Sequence, residues 1–171
     1  MEFDWITFLL TFLLGNGVLI TIFGFVFNWL QSKSQRDFEA RHEARKYYMT
    51  LYGHIAILDE FARGYPRSLK NGKAKVFMFK ECKIGELTSK QILDEFNKAY
   101  DDFSRFYIKT KWEGYEIFVS KKLKKLLRKF WIKAKTFYED TTEMKDEKQI
   151  ENFHRLAKKT GHIMEKLFGL K

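Results

Sequence analysis

Two hydrophobic patterns run along this chain. From Trp5 to Leu30 the residues WITFLLTFLLGNGVLITIFGFVFNWL carry no charge and are apolar almost without a break. As a helix rising about 1.5 Å per residue, the run would measure on the order of 40 Å, more than the roughly 30 Å of a bilayer's hydrocarbon core. It predicts a transmembrane signal anchor over residues 1–32. Beyond Lys33 the apolar positions thin into helical stripes, which predict a basic helical bundle over 33–171. The expected fold class is all-α: an N-terminal transmembrane helix, then an antiparallel bundle of about four helices, with a small hairpin in residues 66–80.

The stripes set the expected elements. Ala44, Tyr48, Leu51, Ile55, Leu58 and Ala62 recur at four-three spacing, giving a helix from Ser34 to Arg63 that Gly64 and Pro66 are expected to end. Asn71-Gly72 ahead of KAKVFMF has the composition of a hairpin turn. Thr88 and Gln91 form a capping box for a helix with Ile92, Phe96, Ala99, Phe103 and Phe106 inward. Ser120 is an N-cap for a third helix reaching about Thr141, which buries Leu123, Leu126, Leu127, Phe130, Ala134 and Phe137. A fourth runs from near Asp146 to Leu167, with Ile150, Phe153, Ala157, Thr160, Met164 and Leu167 inward.

Charge orients the anchor. The 22 acidic side chains less Glu2 and Asp4 leave 20 against 32 basic ones, a balance of +12 beyond the run. Lys33, Arg36, Arg41 and Arg45 follow it, so the positive-inside rule places the N-terminus outside and the bundle in the cytoplasm, in a cell (inner) membrane. The acidic leader and the length of the run argue against a cleaved signal peptide. Within the run Gly17, Thr21, Gly24 and Asn28 fall on one side of a helix, a small and polar stripe suited to packing against another membrane helix. That implies a homo-oligomer or a partner membrane protein; a small oligomeric pore is the further alternative.

In the bundle, Lys121, Lys122, Lys124, Lys125, Arg128, Lys129, Lys133 and Lys135 follow one another with no acid between them. Such a face suits anionic lipid or an acidic protein, with nucleic acid ranked last because stacking aromatics are few: Trp112, Tyr115 and Trp131. The single cysteine, Cys82, rules out an intrachain disulfide and a cysteine-built zinc site.

The apolar span, the segment FEARHEARKYYMTLYGHIAILDEF and the strings FNKAYDDFSRFY and EIFVSKKLKKLL together resemble a widespread group of small bacterial single-pass membrane proteins with a cytoplasmic helical domain. The resemblance implies topology and fold, and no catalytic residue or cofactor. Chemistry read directly from the residues is sparse. Asp59-Glu60, Asp101-Asp102 and Glu139-Asp140 read as solvated charge. HEPN-class helical ribonucleases place an Arg a few residues before a His, and Arg155 with His162 fits that loose spacing on nearly one helix face. The residues favour a non-enzymatic interaction or scaffold module, or an accessory subunit of a membrane complex, over a tethered ribonuclease or toxin.

Overall fold

The computed structural model describes residues 5–78 and 82–169, with the side chains of 5–10, 13, 14 and 16–20 outside the description. The elements are α1 (Trp5–Asn71), β1 (Lys73–Met78), β2 (Lys83–Thr88), α2 (Ser89–Trp112), α3 (Lys121–Glu139) and α4 (Glu147–Phe168). Short 3-10 turns at Tyr115–Phe118 and Glu143–Lys145 lie between the last helices. The chain divides into two compact units, Met1–His42 and Glu43–Lys171.

The second unit is a four-helix bundle built on the expected stripes. Running along α1, Tyr47 meets Phe106 and His54 also meets Phe106, while Gly64 lies against Ile92, so α2 descends as α1 rises. Phe96 faces Phe137 and Phe103 faces Phe130, which makes α3 antiparallel to α2. Tyr48 stacks on Phe168 and Asp59 contacts His154, so α4 returns antiparallel to α1. The centre is aromatic. Phe103 and Phe130 meet edge-on with ring centres 5.4 Å apart, and Phe153 packs on Phe130 at 4.7 Å and on Phe137 at 5.0 Å. Local signals agree with the tertiary packing: the Thr88–Gln91 capping box is formed, Ser120 Oγ accepts the Leu123 N–H, and Asp146 caps α4.

The anchor is the main correction. Among the described residues, no helix is long and apolar enough to cross a membrane. The transmembrane helix in the fold class, the single-pass signal anchor and the inner-membrane placement with the N-terminus outside are therefore not upheld. Within residues 21–30, Thr21, Gly24 and Asn28 interrupt the apolar side chains, and Lys33 follows soon after. The remainder of the predicted span, including Gly17, falls on side chains outside the description. A pore assembled from copies of that span loses its basis with it.

Two further differences concern the end of α1. Gly64 and Pro66 were expected to stop the helix, yet it continues to Asn71 with Pro66 inside. Tyr65 and Ser68 are buried around the proline, and Ser68 Oγ donates to the Tyr65 carbonyl at 2.6 Å. Packing of these turns outweighs the hydrogen bond that Pro66 removes. Gly64 instead serves close approach: a Cβ there would lie 2.5 Å from Val76 Cγ1, so its absence lets β1 sit directly on α1. The hairpin also lies later than residues 66–80. Gly72, at φ +76°, closes the helix rather than the hairpin, and β1 pairs antiparallel with β2 from Lys73–Thr88 to Met78–Lys83. Its inner face places Ala74 and Val76 in the core.

Candidate functional site

The eight basic residues of α3 divide into two groups. Lys133 Nζ lies 2.8 Å from Glu143 Oε2 and Lys135 Nζ 3.3 Å from Glu139 Oε1, so the C-terminal pair is neutralised within the chain. Ion pairs to Lys121, Lys122, Lys124, Lys125, Arg128 and Lys129 are absent among the described residues. Lys122, Lys125 and Lys129 join Lys159 of α4 around a shallow cavity of about 230 Å³ floored by Leu126. The amphipathic stripe explains the arrangement: with Leu123, Leu126 and Leu127 committed to the core, every intervening lysine is turned outward. The first turn of α3 holds lysines and no acid. Cations at the positive end of a helix dipole are unfavourable, which leaves this end of α3 suited to an external anion.

The aromatics expected near this surface are distributed unequally. Tyr115 is buried, its hydroxyl donating to Glu43 Oε2 at 3.0 Å. Burial, then hydrogen bonding to Glu43 and Glu113, holds that phenol well above its ordinary pKa. Trp131 is half-buried and donates from Nε1 to Ser104 Oγ at 3.1 Å. Trp112 alone of the three is open to solvent, at 86 % exposure.

A polar cluster absent from the sequence reading lies between α1 and α4. Asp59 is buried, a correction to its reading as solvated charge. His154 Nδ1 sits 2.8 Å and 3.0 Å from its two carboxylate oxygens, so the imidazole donates from Nδ1 to the carboxylate. Arg63 Nε lies 3.4 Å from Asp59 Oδ2, and Arg63 Nη2 donates to Glu60 Oε2 at 2.7 Å. Glu60 Oε1 in turn accepts the Phe77 N–H at 3.4 Å, tying the cluster to β1. A signal for it was present: Asp59 follows Ile55 by four and precedes Ala62 by three, placing an acid on the buried stripe. An acid there requires a partner, and His154 occupies the equivalent position between Ile150 and Ala157. The arrangement fixes the register of α4 on α1.

Arg155 and His162 each have their own carboxylate. Arg155 Nε donates to Glu151 Oε1 at 3.0 Å, and that guanidinium lowers the Glu151 pKa. His162 Nδ1 lies 3.7 Å from Glu165 Oε2, the residue whose other oxygen accepts the Tyr52 hydroxyl at 2.8 Å. Both are exposed and no bond joins them among the described residues. No group of three or more histidine, cysteine or acidic side chains able to hold a metal ion occurs among the described residues. Of the small-residue stripe, Thr21, Gly24 and Asn28 are exposed on α1, and a Cβ built on Gly24 would meet nothing within 4 Å.

The fold and these surfaces define a helical bundle with a hairpin at one corner and a basic outer face. Comparison with protein-family models, with curated proteins and with solved structures finds no match to this chain. No relative therefore bears on the resemblance to small bacterial membrane proteins, and function is argued from the surfaces alone.

Proposed function

We propose that this protein is a non-enzymatic helical interaction module that associates with a second copy of itself through residues 21–30 of α1. One observation carries the reading. Ile22, Phe23, Phe25, Val26, Phe27, Trp29 and Leu30 are between 43 and 72 % exposed, and together they cover a little over half of the helix surface, opposite Thr21, Gly24 and Asn28. Contiguous exposed apolar surface of this kind marks an association site. Thr21, Gly24 and Asn28 supply a side on which two backbones can approach closely, with Asn28 able to fix register by hydrogen bonding. Gly24 has open space at its Cβ position within the chain itself, so a larger residue there disturbs only an intermolecular contact.

The test is sedimentation of the full chain in mild detergent, with and without Gly24→Leu and Asn28→Leu. A dimer or larger oligomer that loosens in the double variant supports the proposal. An unchanged particle size, or a wild-type monomer at tens of micromolar, contradicts it. A ribonuclease reading is not advanced, since Arg155 and His162 are each engaged by a separate carboxylate.

A further inference from the structure

One end of the bundle combines two features that single residues would not signal. Trp112 at 86 % and Ile117 at 77 % are the most exposed large apolar side chains among the described residues, and both stand on the connection between α2 and α3. The chain there turns tightly. Gly114 N–H donates to the Lys111 carbonyl at 3.2 Å and the Ile117 N–H to the Gly114 carbonyl at 3.2 Å. Tyr115 anchors the turn from beneath, packing on Tyr47 with ring centres 4.9 Å apart and bonding Glu43. The backbone is thus held while Trp112 and Ile117 are left outside.

Cations surround this tip. Lys111 lies over the Tyr107 ring at 4.9 Å, and Lys121 and Lys122 open α3 immediately beyond Ser120. Arg45 and Lys46 of α1 are exposed at the same end, because the α1 turn carrying Tyr47 is the one that meets Tyr115. Acids are fewer: Glu113 faces Lys109 at 3.4 Å, Glu43 accepts from Tyr115, and Glu116 is half-buried within the turn. An aromatic and an aliphatic side chain ringed by lysines match an anionic lipid surface: tryptophan favours the headgroup region, and the ammonium groups meet lipid phosphates and carboxylates. An acidic protein would account for the lysines and leave two unrelated apolar residues to match. A nucleic acid strand would use Trp112 for stacking and leave Ile117 without a role.

We infer that the Trp112–Ile117 turn, with Lys111, Lys121 and Lys122, is a docking tip for an anionic lipid surface. Adsorption of this kind places side chains in the headgroup layer and requires no membrane-crossing helix. It is also separate from self-association through residues 21–30, so either claim can fail alone.

The experiment is co-sedimentation of the full chain with vesicles of phosphatidylcholine alone and of phosphatidylcholine with about one-third phosphatidylserine. Because apolar adsorption adds equally to both compositions, the informative quantity is the ratio between them. The anionic vesicles are expected to bind at least tenfold more tightly at 0.1 M salt, with the advantage shrinking as salt rises. Each lysine at such a surface is worth about fivefold. Lys121→Gln with Lys122→Gln should therefore remove most of the preference. Trp112→Ser with Ile117→Ser should weaken binding to anionic vesicles several-fold at an unchanged melting temperature, since both side chains are outside the core. Equal binding to both compositions overturns the inference, as does an unaltered Trp112/Ile117 variant. Release from anionic vesicles by a single-stranded oligonucleotide, but not by the Trp112/Ile117 change, would reassign the tip to nucleic acid.

Discussion

The two parts of α1 make the most instructive comparison in the molecule. From Thr21 to Leu30 large apolar side chains cover a little over half of the helix and all are exposed; from Ala44 to Tyr65 most collect on one side and are buried or half-buried, with Met49 left exposed. Helix propensity does not distinguish the two stretches, since both are helical. Their difference is the angular distribution of apolar residues, which decides whether a helix finds its cover within its own chain or needs it from outside. A stripe such as Ala44, Tyr48, Leu51, Ile55, Leu58 and Ala62 is satisfied by α2, the hairpin and α4. The broad apolar face of 21–30 stays exposed among the described residues.

Substitutions sharpen that contrast, beginning with the largest effect. Phe153→Ala removes a fully buried ring packed on Phe130 and Phe137 and is expected to cost about 3–5 kcal/mol in urea unfolding. Phe25→Ala, which removes a ring 72 % exposed, should change bundle stability by less than about 0.5 kcal/mol. Comparable losses at both positions would break the distinction. Next is Asp59→Leu, which strips the carboxylate from His154 and Arg63 and should cost about 2–4 kcal/mol by the same measurement. A neutral result would mean that α4 keeps its register without the pair. Gly64→Ala forces a Cβ against Val76 Cγ1 and is expected to lose about 1–3 kcal/mol, although alanine is the better helix former. A stabilised variant would place β1 farther from α1 than the structure does.

The smallest expected effect is on pH. Burial first, then repulsion from Glu116 and Tyr107, raises the Tyr48 phenol pKa well above its ordinary value. The folded state therefore keeps a proton that the unfolded chain releases above about pH 10. The contribution is complete below that pH and is lost as pH rises beyond it. Urea midpoints should fall between pH 9.5 and about 11, and Tyr48→Phe should flatten the fall. Midpoints that rise over this interval would reverse the sign.

Much of the bundle was legible because burial repeats with the helical period. Phe96, Phe103, Phe130, Phe137 and Phe153 all sit where their stripes placed them, and the caps at Thr88 and Ser120 formed as their spacing implied. The errors came where a residue's meaning depends on a distant neighbour. Gly64 reads as a helix stop in isolation and as a contact point once Val76 is beside it. Asp59 and His154 are 95 residues apart, so their pairing follows only from the antiparallel docking of α1 and α4. Leu167, expected inward, is exposed, because Phe168 beside it takes the core contact by stacking on Tyr48. The anchor rested on apolar length alone, and among the described residues that length is not sufficient to cross a membrane. For the basic face, the run of lysines was visible but its division was not, because Glu143 folds back to neutralise Lys133.

The central claim is that residues 21–30 are covered by a second copy while residues 44–63 are covered by the chain itself. Hydrogen exchange of the full chain in mild detergent, followed as protein is diluted at constant detergent, tests it directly. The account predicts that amides of 21–30 exchange faster on dilution while those of 44–63 stay protected. Protection of 21–30 that is independent of protein concentration would contradict it.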